Sequence, residues 1–447
     1  MTAPARLFGT DGIRGVAGAS PLDPPTVARI GGAVVRALGL DRPARLIIGR
    51  DTRESGEWIE RELARGAVSQ GAAVSSVGVI PTPGVAYLTR TRDVDLGVVI
   101  SASHNSYQDN GIKVFSGRGE KFGEDAERAI EAIVADPAWH VPASGEARIE
   151  TVDLIEPYLA HTALLAPLGD GLRGWRLALD MANGATTTTA TRLFESLGCE
   201  LITVGDQPDG RNINLACGST HPARLAAAVV THQCRLGVAF DGDGDRAILV
   251  DHRGHVVDGD ALLLLLGAHY QQQGRLTGHT VVATVMSNIG LEIGLRERGM
   301  ALVRTPVGDK YVMEEMLKNG FVVGGEQSGH VILAEHLFTG DGMATALAVM
   351  RVMAETGREL SDLAAQLVAY PQTLMNVRVR TRVDVESVPA VADAMARVRA
   401  ALGGQGRLLV RYSGTEPLLR IMIEGQDQAS VQAWAEEIAD AVRNTLT

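Results

Sequence analysis

Asp241, Asp243 and Asp245 alternate with Gly242 and Gly244 directly after the apolar run LGVAF. Three carboxylates so close repel one another, and without a cation at least one is pushed toward its protonated form. A divalent metal removes that cost, and hard oxygen donors suit magnesium or calcium. A calcium loop of the helix–loop–helix type needs Gly at its sixth place and Glu at its twelfth. Those places hold Arg246 and His252. The spacing therefore points to Mg2+, completed by an oxygen donor such as a phosphate.

A second polar loop follows the apolar run Gly97–Ile100, in SASHNSYQDNG. Ser103 reads as a nucleophile, a hydrogen-bond donor or a turn residue, and no G-x-S-x-G elbow surrounds it. A phosphorylated serine would supply the oxygens that a three-aspartate magnesium site still lacks. Arg14, Arg50, Arg53 and Lys113 lie in the glycine-rich stretches FGTDGIRG, GRDTRESG and NGIK. Cations there can stabilise a transferring phosphoryl group and assist proton transfer. In GGEQSGH, Glu326, Gln327, Ser328 and His330 offer groups that hydrogen-bond sugar hydroxyls or a sugar amine. In RYSGTEPLLR, Arg411 and Arg420 flank Ser413, Gly414 and Thr415. Small residues let backbone N–H groups approach an anion, and Arg grips phosphate bidentately. This reads as a metal-free phosphate clamp. No G-x-G-x-x-G or Walker-type loop is present in these stretches, so dinucleotide and P-loop nucleotide binding are unsupported.

The elements that must position these loops alternate. Asp23 before Pro24 and Pro25 is an N-cap with proline in the first turn, and Val27, Ile30, Val34, Val35 and Leu38 share one helical face. Strand–helix alternation continues to about residue 371 and implies βαβ units with parallel or mixed sheets. From 372 onward, an alternating strand, a helix, a strand–loop–strand and a closing helix suggest a small α+β domain. The expected fold is α/β, with domains at 1–152, 153–255, 256–371 and 372–447. LGVVISASHN, LGVAFDGDGD and FVVGGEQSGH echo one another: each is a Gly- and Val-rich strand entering a loop of polar residues. Three similar α/β units, each lending one loop to a shared site, account for the echo.

The bulk numbers are ordinary for a soluble globular protein. The chain has 447 residues, 45% hydrophobic and 21% charged, with a net charge of −11. That charge argues against a nucleic-acid partner. Cys199, Cys217 and Cys234 form an odd, sparse set without CxxC spacing, as expected in a reducing compartment. The N-terminal stretch holds no signal-like apolar run, and Leu262–Leu266 is far shorter than a membrane span. A cytoplasmic location without membrane attachment is expected.

SASHN before DNGIK, then DGDGDR, GEQSGH and RYSGTEP, in this order, resemble the α-D-phosphohexomutases. The opening LFGTDGIRG, with GRDTRESG, NINLACGSTHP and GGEQSGH, is most similar to the bacterial branch acting on glucosamine phosphates. The resemblance spans Phe8 to Gly425. It implies four domains around a central cleft, three α/β and a smaller α+β. It implies interconversion of glucosamine 6-phosphate and glucosamine 1-phosphate, on the route to UDP-N-acetylglucosamine and cell-wall precursors. Ser103 would be the phosphoserine, binding Mg2+ with Asp241, Asp243 and Asp245. Arg14, Lys113 and His330 would assist proton transfer. Glu326 and Ser328 would hold sugar hydroxyls. Arg411, Ser413, Gly414, Thr415 and Arg420 would grip the substrate phosphate. A hexosamine or glucose 1,6-bisphosphate would be intermediate and primer, and a homodimer is common in this branch.

Two residues depart from the family pattern. Ser106 stands where proline is frequent, which would loosen the serine loop, and Tyr412 stands where lysine or proline is frequent, which would alter phosphate affinity. Three rival readings follow: a mutase for glucose or mannose phosphate, a magnesium-dependent sugar-phosphate phosphatase, and a sugar-phosphate sensor without chemistry.

Overall fold

The computed structural model describes residues 6–142, 147–167, 169–413 and 417–446. Two compact units divide the chain: residues 1–286 with 300–366, and residues 287–299 with 367–447.

The first unit holds three sheets, and their central strands repeat one plan. In the first sheet, Arg45–Arg50 pairs in parallel with Ala73–Val79 on one side and Leu96–Ile100 on the other; Asp109–Ser116 then pairs antiparallel with Leu96–Ile100. In the second, Arg176–Asp180 lies parallel to Glu200–Val204 and Leu236–Phe240, and Ala247–Asp251 returns antiparallel. In the third, Thr280–Thr284 lies parallel to Ala301–Thr305 and Val323–Gly325, and Val331–Leu333 returns antiparallel. Numbered within each unit, the strand order is 4-3-1-2 every time. The echo in sequence is thus an echo in topology. SASHN, DGDGD and EQSGH are each the connection from the third strand to the fourth. Strands 1 and 3 lie side by side there, the crevice where open α/β sheets bind ligands. The second sheet closes with Val256–Val257, two residues beyond 255.

Local chemistry explains the elements. Asp23 accepts the Thr26 N–H at 3.1 Å and caps the helix Pro24–Ala37. Its Val27, Ile30 and Val34 are wholly buried against Leu46, Ile48 and Val98 of the first sheet. Leu262–Leu266 is the buried centre of the helix Gly259–Gln272. No helix among the described residues is long and apolar enough to cross a membrane.

Helices Pro24–Ala37 and Gly56–Ser69 touch through glycine. A Cβ on Gly66 would lie 1.8 Å from the Ala28 carbonyl oxygen, and one on Gly31 2.0 Å from that of Leu63. Gly66→Ala is therefore expected to force the helices apart and to cost about 2–3 kcal/mol, read as a lower melting temperature. An unchanged melting temperature would contradict this close contact.

The second unit is a three-stranded antiparallel sheet in the order Gln372–Arg378, Leu418–Glu424, Arg407–Tyr412. Helices Pro389–Leu402 and Gln428–Leu446 cover it through Val391, Val398, Val431 and Ile438. Residues 287–299, with the helix Ile289–Arg296, group with this compact unit. The Ile289 N–H meets Glu424 Oε2 at 3.2 Å, and Arg407 donates to the Ser287 carbonyl at 3.0 Å. Polar partners far away in sequence, invisible to periodicity, set that helix's place.

Candidate functional site

Leu96–Ile100 and Leu236–Phe240 are wholly buried strands, so the residues that follow them are fixed at the sheet edge. There the serine loop meets the aspartate loop. Ser103 Oγ donates to Asp241 Oδ2 at 2.5 Å, and both residues are fully buried. Asp241, Asp243 and Asp245 present carboxylate oxygens within 4.8 Å of one another. Asp243 Oδ1 and Asp245 Oδ1 are buried without a hydrogen-bond partner among the described residues. Orphaned buried carboxylate oxygens are costly, and a divalent cation is a partner that these two, with Asp241 beside them, would fit.

The charges of the site are balanced unevenly. Burial pushes the Asp241 carboxyl well above its ordinary pKa, and the charges of Asp245 and Asp243 add to the push. Burial also works against Asp245, but Lys113 and then His330 outweigh it and hold that carboxylate well below the usual range. Lys113 Nζ donates to Asp243 Oδ2 at 2.8 Å and Asp245 Oδ2 at 3.1 Å, and lies 3.1 Å from Asp11 Oδ2. Burial disfavours the Lys113 charge, yet Asp11, Asp243 and Asp245 raise its pKa well above normal. Its ammonium is thus a resident counter-ion. Thr82 Oγ1 donates to Asp243 Oδ2 at 2.5 Å and braces the same carboxylate.

His330 stands behind Asp245, almost wholly buried, with Nδ1 3.6 Å from Asp245 Oδ1. Burial lowers its pKa, and Asp245 and then Asp309 more than reverse that. The Gly340 N–H meets Nε2 at 2.9 Å and favours a lone pair there. Asp309 Oδ2 lies 3.4 Å from the same Nε2, so the ring stands between two carboxylates.

Arg14 touches the serine loop: Nη1 donates to the Ala102 carbonyl at 3.2 Å, and Nη2 pairs with Asp11. With Arg6–Gly12, His104 and Arg246, it lines a cavity of about 440 Å³. Arg246, directly after the third aspartate, is a site residue that no motif announces; its adjacency in DGDGDR is the one signal for it in the sequence. Its Nη1 lies 3.2 Å from His104 Nδ1, and its Nε 3.8 Å from Asp245 and 4.0 Å from Asp241. Burial, then Arg246 and Arg14, pull the His104 pKa down to about 4.

Two cations expected near the phosphoryl group are engaged elsewhere. Arg50 pairs with Glu60 at 3.0 Å and Glu57 at 3.2 Å on the following helix. Arg53 is fully buried and spends its guanidinium on scaffolding. Nε bonds Asp51, Nη1 donates to the carbonyls of Ser106 and Asp109, and Nη2 to those of Ser103 and Asn105. The Ser106 carbonyl also accepts the Asp109 N–H at 3.2 Å, a second tie on that loop.

Glu326 and Ser328 are half-buried on the third loop. Glu326 Oε1 accepts the Gly308 N–H at 3.2 Å, and Ser328 Oγ lies 3.4 Å from Glu326 Oε2. In the second unit, Arg411 and Arg420 face each other across the sheet. Arg420 reaches Ser413 Oγ at 3.4 Å, and Arg382 holds the Ser413 carbonyl at 2.7 Å. Gly414 and Thr415 lie outside the described residues. Tyr412 packs on that unit's core and donates to the Val383 carbonyl at 2.7 Å, a structural engagement on the opposite face from Arg411 and Ser413.

Models of the phosphoglucomutase/phosphomannomutase family match the chain in series. The α/β/α domain I model matches residues 5–140, domain II 159–254, domain III 258–370 and the C-terminal domain 374–441. The chain is 49% identical over 444 residues to a phosphoglucosamine mutase of Solibacter usitatus, covering 98% of this chain and 99% of that one. It is 49% identical to one of Moorella thermoacetica, covering 96% and 97%. A solved phosphoglucomutase/phosphomannomutase family protein of Burkholderia thailandensis superposes with a TM-score of 0.81 at 26% identity, covering 98% of this chain and 97% of that one.

Proposed function

The chain belongs to the phosphoglucomutase/phosphomannomutase family, and on that premise we propose that it interconverts glucosamine 6-phosphate and glucosamine 1-phosphate through a phosphoserine at Ser103. The observation that carries this reading is the Ser103 hydroxyl held 2.5 Å from Asp241 within the aspartate trio. Asp241, Asp243 and Asp245 would hold Mg2+, which when bound draws charge from the phosphoryl group and offsets the mutual repulsion of the carboxylates.

Phospho-Ser103 gives its phosphoryl group to the free hydroxyl of the sugar phosphate. The Oγ–P bond breaks as the sugar O–P bond forms; the sugar hydroxyl loses a proton and Ser103 Oγ regains one. The resulting 1,6-bisphosphate turns over in the site, and Ser103 takes back the other phosphoryl group. Arg14 and Arg246, on the cavity wall, meet the phosphoryl oxygens. Of the three groups expected to assist proton transfer, only Arg14 lines that cavity; Lys113 and His330 act by holding Asp243 and Asp245. Glu326 and Ser328 bind sugar hydroxyls, and Arg411, Ser413, Gly414, Thr415 and Arg420 form the phosphate clamp. The domain boundaries near 152, 255 and 371 are proposed on the pattern of elements and the cytoplasmic location on the sequence features given above, and the homodimer on the resemblance.

Glucosamine, glucose and mannose 6-phosphates, each assayed with glucose 1,6-bisphosphate as primer, test the reading. The glucosamine isomer should form with kcat/KM at least roughly tenfold above the others. Accumulation of free phosphate without isomer would replace the mutase with a phosphatase. Chelation should stop turnover and added Mg2+ should restore it. Mg2+ at about 100 times its Kd should also stabilise the fold by about 2.7 kcal/mol. Full turnover in the chelator would remove the metal from the mechanism.

A further inference from the structure

NINLACGSTHP carries part of the family resemblance, yet none of its residues has been given a task. It lies in the second α/β unit, and it reaches across to the serine loop of the first. Asn214 Nδ2 donates to the carbonyl oxygens of Ser103 and Asn105, both at 2.9 Å. Arg53 approaches the same two carbonyls from the first unit, also at 2.9 Å. The backbone after Ser103 is thus clamped from both sides. The clamp has something to hold: Ser103 is left-handed at φ 52°, a conformation that L residues other than Asn, Asp and Gly seldom adopt.

The segment is built to present that one amide. Asn214 is itself left-handed at φ 58°, and its N–H bonds the Ala182 carbonyl at 2.8 Å. Asn183 Nδ2 donates to the Asn212 carbonyl at 3.2 Å on one side. On the other, Gly218 N–H is held by Asp180 at 2.8 Å and Ser219 N–H by the Phe240 carbonyl at 2.8 Å. The aspartate loop closes on the same point. A Cβ on Gly242 would lie 2.5 Å from the Ser103 carbonyl and 2.8 Å from Asn214 Nδ2. The reacting serine, the aspartate loop and this segment therefore meet at one buried carbonyl.

We propose that Asn214 is a positioning residue: its amide fixes the Ser103 backbone so that Oγ, and a phosphoryl group on it, stay aimed at the aspartate trio. The proposal rests on Ser103 being the phosphoserine. It predicts a defect in phosphoryl transfer in both directions, because one backbone setting serves Ser103 as donor and as acceptor. Substrate binding should be untouched, since among the described residues the Asn214 amide donates to carbonyls of the serine loop.

Two variants separate the amide from the backbone. Asn214→Gly keeps the left-handed conformation without strain and removes both donors. Asn214→Asp keeps shape and backbone preference but sets a carboxylate against two carbonyls. Both should lower kcat by roughly tenfold to a hundredfold with KM within about threefold, the loss expected from a small misplacement of a reacting group. Phosphorylation of the dephosphorylated chain by glucose 1,6-bisphosphate, followed by intact mass, should slow by a similar factor. Normal kcat and phosphorylation rate in Asn214→Gly would overturn the proposal. So would recovery by Asn214→Asp, or a loss confined to KM. If the unaltered protein takes no phosphate from the bisphosphate, the phosphoserine reading fails instead, and the two failures are distinct.

Discussion

Ser103→Ala is expected to lower turnover by on the order of 10⁴-fold or more, and the purified chain should no longer accept a phosphate from glucose 1,6-bisphosphate. The size follows from the role: a covalent carrier has no substitute, and Ser101 is already donating to Asp51 at 2.5 Å. The fold should survive. Alanine removes a single oxygen, and among the described residues the hydrogen bonds lost are those of Oγ, to Asp241 at 2.5 Å and His104 Nδ1 at 3.3 Å. That carboxyl is already pushed toward its neutral form by burial and by its acidic neighbours. A melting temperature within a few degrees of the unaltered protein, with activity gone, is the expected pair of results. Residual phosphorylation in Ser103→Ala would move the carrier to another residue and undo the reading of this site.

Arg53→Met should destabilise the first unit by about 3–5 kcal/mol, because it strips a buried carboxylate of its charged partner. Asp51 is fully buried and bonded to Arg53 Nε at 2.9 Å. The carbonyls of Ser103 and Asn105 keep Asn214, and that of Ser106 keeps the Asp109 N–H, so Asp51 bears most of the loss. Burial already raises the Asp51 pKa even with Arg53 beside it. Without Arg53 the folded-state pKa climbs further above the unfolded value. The folded chain then binds the extra proton, so stability is retained at low pH and falls as pH rises through the raised pKa. The deficit of Arg53→Met against the unaltered protein should therefore widen from pH 5 to pH 8 in urea unfolding. A constant deficit would mean that Asp51 is not the group left exposed. Arg53→Lys should recover only part of the loss, since one ammonium cannot span four carbonyls and a carboxylate.

The loops that carry chemistry were legible because their composition conflicts with ordinary folding. Alternating Asp and Gly after a buried strand has no cheap structural explanation, and SASHN ends a wholly apolar run. The buried face of Pro24–Ala37 and its Asp23 cap were legible because helical period and capping are local. What sequence could not supply was direction over distance. Arg53 reads as a cation near a phosphate, yet its fork faces inward to backbone carbonyls as far along the chain as Asp109. His330 reads as a free acid or base, yet it stands behind Asp245. The first N–H of the helix Ile289–Arg296 is met by Glu424 from 135 residues away, a contact that helical period does not announce.

Among the described residues, seven that are not glycine have a left-handed backbone: Ser103, Ala182, Asn183, Asn214, Ala216, Gln233 and His279. The first five fall in the serine loop and the two segments that brace it. Each such residue costs about 1–2 kcal/mol when it is neither Gly nor Asn. A redesign that maximised thermal endurance would therefore be drawn to these positions first, and glycine at Ala182 or Ala216 would relax the backbone there. At Ser103 the same replacement would harden the protein and silence it, so hardiness and activity compete most sharply at that one residue.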